Sequence, residues 1–283
     1  MNTRGYFSKS MLALGFAFLY VPILLMVAFS FNASRAVTTW SPDSPSMRWY
    51  KQLLQDDQIL SAAWVSIKVA ALSATGAVIF GTIAGLVLAR FGPFKGRALL
   101  RGLTTAPLVM PEVITGLSML LLFVALEQLF QSMFGWQFDR GVTTIIIAHI
   151  TFTMAYVTVV VQSRLASFDD SLEEAALDLG ARPAKVFFRI TVPLILPAIL
   201  SGWLLAFTLS WDDLVVTQFV SAPGSNTLPM VIFSRVRLGV NPVVNALATI
   251  MVLIVALGVI LSAVLMRRQE LRRKREEQMA AAG

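Results

Sequence analysis

Apolar residues in this chain gather into runs longer than a soluble helix or strand can bury, with the polar residues confined to the gaps between them. A helix needs about 20 predominantly apolar residues to cross a bilayer. Six runs meet that length: 11–31, 62–89, 103–126, 142–161, 194–220 and 246–266. The fold class this predicts is an all-α integral membrane protein with six transmembrane helices, and the 283 residues read as a single transmembrane domain. The first run follows Arg4 and Lys9, as a secretory signal would. It is too long for one, however, and no small-x-small cleavage site follows, so it reads as an uncleaved anchor.

Composition agrees, with 57% hydrophobic and only 14% charged residues, a balance no soluble domain of this length is expected to carry. A net charge of +7 is the kind nucleic-acid-binding proteins carry, but here the basic residues lie in short segments between the apolar runs, not on one soluble face. Their distribution instead sets orientation, because cytoplasmic loops are enriched in Lys and Arg. With the N-terminus inside, the inner segments hold Arg4, Lys9, Arg90, Lys95, Arg97, Arg101, Arg164, Arg182, Lys185, Arg189 and the arginine-rich tail 267–283; the outer loops hold only Arg35, Arg48, Lys51, Arg140, Arg235 and Arg237. Lys68 is left near the outer end of the second run, where it can snorkel. Both termini are therefore expected in the cytoplasm. There is no cysteine and only one histidine, His149, which excludes thiol chemistry and a histidine-based metal cluster.

The longest inner connection, 164–192, reads as a structured element. Ser171 followed by Glu174 has the spacing of a capping box at a helix start. Gly180 suits the left-handed conformation that ends a helix, and Pro183 suits the first position of another. Two short helices joined at Gly180 are expected, with Ala175 and Ala176 leaving a shallow surface fit for a cleft on a partner. An internal echo, PLVMPEVITG at 107–116 and PLILPAILSG at 193–202, begins two runs directed from inside to outside; proline at a first helical turn accounts for it without an ancient repeat.

Glu174-Ala175-Ala176, then Gly180, then Ile190-Thr191-Val192-Pro193 resembles the EAA loop of ABC-type importer permeases, with Val192 where the family has leucine. That resemblance implies the type I importer permease (MetI-like) fold. It also implies a coupling helix, including Arg182 and Pro183, that docks on a separate ATP-hydrolysing subunit. The chain has no GxxxxGK[ST] phosphate loop, so ATP and Mg belong to that partner and this chain binds no cofactor and is no enzyme. The segments WYKQLL, TAPLVMPEVITGLSMLLLF, FTLSWDDLVV and TLPMVIFSRVRLGVNPVVNALAT extend the resemblance over nearly the whole chain to polyamine importer permeases, nearest to the second permease of the putrescine type. It implies a heterodimer with a related permease, an ATPase dimer, a periplasmic polyamine-binding protein, and residence in a bacterial inner membrane.

Charged residues inside lipid cost about 2.5–3.5 kcal/mol each on insertion scales, so each requires a reason. Asp212 and Asp213 lie in the outer part of the fifth run, with Trp203, Phe207, Trp211 and Phe219 near them. Two acids with aromatics suit an organic cation through ion pairing and cation–π contact. Packing against a partner permease, or bonding backbone at a helix break, explains the acids equally well. Adjacent residues point about 100° apart on a helix, so one of the two is expected to face the pathway. Glu112 either lines the pathway or stands at the positive end of a helix dipole. His149 reads as a hydrogen-bonded core residue, with a pore-facing role as the alternative. The outer segment 221–245 reads as a lip for the binding protein or as an interfacial helix. A permease for another small solute is the alternative within transport. An ion-coupled secondary transporter leaves the docking loop unexplained, and a membrane enzyme lacks a catalytic constellation.

Overall fold

In the computed structural model, residues 3–36, 39–135, 139–167, 169, 171–239, 241–258, 260, 264 and 267 are described. Helices α1 (Thr3–Ser30), α2 (Arg48–Leu54), α3 (Asp57–Arg90), α4 (Arg97–Val109), α5 (Glu112–Phe134) and α6 (Val142–Ala166) come first. Then follow α7 (Ser171–Asp178), α8 (Pro183–Val186), a π-helical turn (Phe187–Thr191), α9 (Val192–Trp211), α10 (Val215–Val220), α11 (Leu228–Leu238) and α12 (Pro242–Gly258). Five stretches among the described residues are long and apolar enough to cross a membrane: Phe7–Ser30, Asp57–Arg90, Glu112–Phe134, Val142–Ala166 and Pro183–Trp211. The described part of the sixth run is the shorter apolar α12, and nearly all of the basic tail lies outside the described residues.

Two of the expected runs are broken. The third divides into α4 and α5 at Met110 and Pro111, both extended with ψ of 136°. A residue before proline is driven out of the helical region, and proline has no N–H to continue the ladder. The fifth run stops at Trp211 and resumes as α10 at Val215.

The chain forms two compact units, Met1–Asp57 with Ile232–Gly283, and Gln58–Val231. In the first, Asn32 organises the turn after α1: its side-chain N–H₂ donates to the Thr39 carbonyl (2.7 Å), and its oxygen accepts from the Ser41 N–H (2.9 Å) and the Ser44 hydroxyl (3.1 Å). The Trp49 indole N–H donates to the Asn32 carbonyl at 2.5 Å. Arg235 of α11 holds Asp56 with two bonds, 2.6 and 2.9 Å.

In the second unit α6 is central, with half of its most apolar window buried, against none for α1. Lipid supplies no hydrophobic drive between helices, so close packing of small residues and polar links must hold them. Gly81 and Gly85 of α3 bring that backbone onto α6: a Cβ on Gly81 would lie 2.8 Å from Val157 Cβ, and one on Gly85 3.1 Å from the Thr158 carbonyl. Gly202 of α9 approaches Val157 from another side. The Ser73 hydroxyl donates to the Ile146 carbonyl (3.3 Å) and the Thr144 hydroxyl to the Val220 carbonyl (2.8 Å), tying α3 and α10 to α6. Ala74, Ala77, Val157, Val161, Leu165, Ile195 and Ala206 fill one core; Val69, Phe123, Ile145, Ala148, Val216 and Val220 fill another.

Candidate functional site

The two helix breaks meet at one cavity of about 480 Å³, within the Gln58–Val231 unit. Its wall includes Pro107, Leu108, Met110, Pro111, Glu112 and Thr115 from the first break, Leu209 and Asp212 to Val216 from the second, and Phe152 and Tyr156 of α6. Glu112, Asp212 and Asp213, singled out in the sequence as acids within apolar runs, therefore come together. Broken helices also present unpaired ends: the last carbonyls of α4 and α9 have no intrahelical donor, and such ends favour cations.

The two adjacent aspartates differ in what holds them. Asp213 caps α10: its carboxylate accepts from the Thr217 N–H (2.7 Å), the Thr217 hydroxyl (2.7 Å) and the Val216 N–H (3.3 Å). The buried His149 stands behind it, with Nε2 3.2 Å from the Asp213 carboxylate and 3.0 Å from the Thr217 hydroxyl, and Nδ1 2.6 Å from the Ser210 hydroxyl. A carboxylate only accepts, so Nε2–H donates to Asp213; in the neutral ring Nδ1 then accepts from the Ser210 hydroxyl. Asp213 is thus a residue that bonds backbone at a helix break, and His149 is a hydrogen-bonded core histidine. Asp212 ends α9 through its own N–H, donated to the Thr208 carbonyl (3.2 Å), and the residue is exposed at the cavity.

Phe207 and Trp211, expected beside the acids, are not among the cavity's lining residues. With Trp203 they form a ladder of stacked rings along α9, centroids 5.2 and 6.0 Å apart, and the Trp203 N–H donates to Thr75 of α3 at 3.2 Å. Spacing of four residues puts the rings on one helical face, and that face is not the one turned to the cavity. Ser210 and Thr217 carry no charge to mark them in the sequence; their one signal is their place three and four residues either side of Asp213, at helical spacing. Gly116 of α5 is a further participant. A Cβ there would lie 2.5 Å from the Phe219 ring, so its absence lets α10 lie against α5 and shape the cavity.

The loop 164–192 folds as two short helices, α7 and α8. Gly180 has φ of +80°, the Ala181 N–H reaches the Ala176 carbonyl (3.0 Å), and the Gly180 N–H reaches that of Leu177 (2.9 Å). This is the Schellman end that the glycine predicts. Pro183 takes the first turn of α8, after an extended Arg182. The start of α7 differs from the capping box expected of Ser171 and Glu174. Ser171 is already helical, and its N–H donates to the Asp169 carboxylate at 3.0 Å. The Ser171 N–H, and then its hydroxyl, hold the Asp169 carboxyl below its ordinary value. No residue of α7 is buried; Glu174, Ala175, Leu172 and Leu179 are exposed.

Comparison with known proteins gives this geometry a context. Residues 77–275 match the family described as binding-protein-dependent transport system inner membrane component. The chain is 56% identical over 272 residues to the putrescine transport system permease protein PotI of Escherichia coli (strain K12), covering 96% of this chain and 95% of that one. It is 37% identical over 266 residues to the spermidine/putrescine transport system permease protein PotC of Haemophilus influenzae, covering 94% and 98%. Among solved structures it resembles a chain of a bacterial ABC transporter involved in import of the acidic polysaccharide alginate, with a TM-score of 0.71, 17% identity, and coverage of 92% and 96%. A chain of the MetNI methionine ABC transporter aligns with a TM-score of 0.56, 15% identity, and coverage of 72% and 92%. The all-helical importer-permease fold expected from the sequence is therefore the one observed, and the chain belongs to the family of binding-protein-dependent transport system inner membrane components, the permease subunits of ABC importers.

Proposed function

We propose that this permease conducts putrescine from periplasm to cytoplasm, with the cavity at the two helix breaks as a substrate station. The observation that carries the reading is the convergence of Glu112 and Asp212, from different broken helices, on one cavity. Putrescine is a linear diamine with an ammonium at each end, and two carboxylates on separate elements suit its two charges. The cavity volume is in the usual range for small-molecule sites, about 300–1,000 Å³. Asp213 keeps α10 in place and sets the helix break beside Asp212. The identity of 56% to a putrescine permease supports the same substrate.

The chain acts as one permease domain with both termini cytoplasmic, as its Lys and Arg distribution supports. It pairs with a related permease, receives the amine from a periplasmic polyamine-binding protein, and rests on a dimer of ATPase subunits that hold ATP and Mg. The loop 164–192 is the docking element: α7 offers Glu174, Ala175 and the exposed apolar Leu172, with Leu179 just past its end, to a cleft on the ATPase, while Gly180, Arg182 and Pro183 fix the turn to α8. Closure of the ATPase dimer on ATP moves the loop, and the helix bundle exchanges outward for inward access. Uptake of labelled putrescine by cells producing Asp212→Asn or Glu112→Gln tests the station. Each variant is expected to reach the membrane at the normal level and lose most uptake, and normal uptake by both removes the cavity from the pathway.

A further inference from the structure

We propose that Glu173, and not only the docking residues beside it, is a positioning residue of the transport cycle: it ties α7 to two membrane helices at once, so that a displacement of the loop is delivered to α3 and α9 together. The inference rests on the reading of the loop as the ATPase-docking element. Glu173 lies in the first turn of α7, about 100° around the helix from its neighbour Glu174. Its Oε1 accepts from the Thr191 hydroxyl at 2.7 Å, and its Oε2 lies 3.4 Å from Arg90 Nε. Arg90 is the last residue of α3, and Thr191 closes the π-helical turn that runs into α9. The Glu173 and Arg90 side chains are each 16% exposed, whereas the neighbouring Glu174 is open to solvent.

No residue of α7 is buried, so apolar packing does not fasten this helix to the bundle. The Glu173 carboxylate does, through a charge-assisted hydrogen bond from the Thr191 hydroxyl, the stronger class of hydrogen bond, and an ion-pair contact with Arg90. From Thr191, α9 runs through 20 residues, about 30 Å of helix, to the break at Asp212. A pull on Thr191 is therefore a pull on a rod whose far end is the cavity wall. Without Glu173, α7 can follow the ATPase by pivoting at the Gly180 turn while the spans stay behind. ATP is then hydrolysed without transport.

The test uses the complete complex, with ATPase and binding protein, reconstituted in liposomes and supplied with putrescine, and reads the amine transported per ATP hydrolysed. Docking is read separately by cross-linking to the ATPase from Asp178→Cys, at an exposed position of α7 outside the docking residues. In Glu173→Ala the transport ratio is expected to fall about five-fold or more, the scale of a typical coupling energy, while cross-linking stays at the level of the unsubstituted residue. Glu173→Gln keeps an acceptor for Thr191 and falls less; Thr191→Val, which leaves the ion pair, also falls. The exchange of Arg90→Glu with Glu173→Arg recovers part of what either single change loses. An unchanged ratio in Glu173→Ala overturns the proposal, and so does loss of cross-linking in step with transport, because the residue would then only hold the loop's own fold. An exchange no better than the single changes also overturns it. Failure of Asp178→Cys to cross-link in an otherwise unaltered, transporting complex instead refutes the docking reading beneath it.

Discussion

Replacing each of the two adjacent aspartates by asparagine separates a residue that meets substrate from one that builds the site. In Asp213 both carboxylate oxygens are engaged, by the Val216 N–H, the Thr217 N–H and hydroxyl, and His149. Asparagine keeps one acceptor and brings an N–H₂ group against donors, so at least one buried donor loses its partner. Leaving a buried polar group unsatisfied costs about 1–3 kcal/mol. Asp213→Asn should therefore lower the thermal stability and the membrane level of the protein, and uptake should fall with them. Asp212 is exposed at the cavity, and its replacement should change stability by no more than about 0.5 kcal/mol, as at other exposed positions. What it removes is one charge-assisted contact to an ammonium, about 1.5–3 kcal/mol, which corresponds to about a 10- to 150-fold loss in transport at low substrate. The assays are thermal unfolding of the purified complex in detergent, an immunoblot of membranes, and initial rates of labelled putrescine uptake. Wild-type uptake by Asp212→Asn, or wild-type unfolding by Asp213→Asn with only its uptake reduced, would refute this division of roles.

Other changes have equally definite outcomes. His149→Ala deprives Ser210, Thr217 and Asp213 of a shared buried partner and should destabilise by about 1–3 kcal/mol, read as a lower unfolding temperature at unchanged cross-linking to the ATPase. Gly116→Ala forces Phe219 off α5, an overpacking expected to cost about 1–3 kcal/mol; uptake should decline more than in Ala125→Gly at an exposed position of the same helix, and a neutral result would mean that α10 tolerates a shift. Glu174→Lys should abolish transport while the protein remains in the membrane, and normal uptake would remove this residue from the docking surface.

Much of the architecture can be read from the chain because lipid imposes simple rules. Run length gives the spans, and Gly180 with Pro183 gives the turn of the loop, since each is suited to a backbone conformation that few other residues favour. The breaks are harder to foresee. Pro111 and Pro197 occupy matching places in the internal echo, yet the chain breaks before the first and stays helical through the second. Proline both starts and interrupts helices, and only the packing around it decides which. The acids show the same limit. Sequence marks Asp212 and Asp213 as costly and therefore meaningful, but the partner that distinguishes them, His149, comes from a helix more than sixty residues away. The aromatic ladder of Trp203, Phe207 and Trp211 follows from helical spacing, whereas which way it faces is set by α3. Glu173 carries no local signal, because its value lies in two residues, Arg90 and Thr191, brought to it by separate spans.

The most direct test of the central claim is uptake of labelled putrescine in cells lacking this gene and in the same cells with it restored, with unlabelled spermidine as competitor. Uptake that returns only with the gene, and only when the ATPase partner is active, is the predicted result. No difference between the two strains, with the restored protein verified in the membrane, would contradict the putrescine assignment.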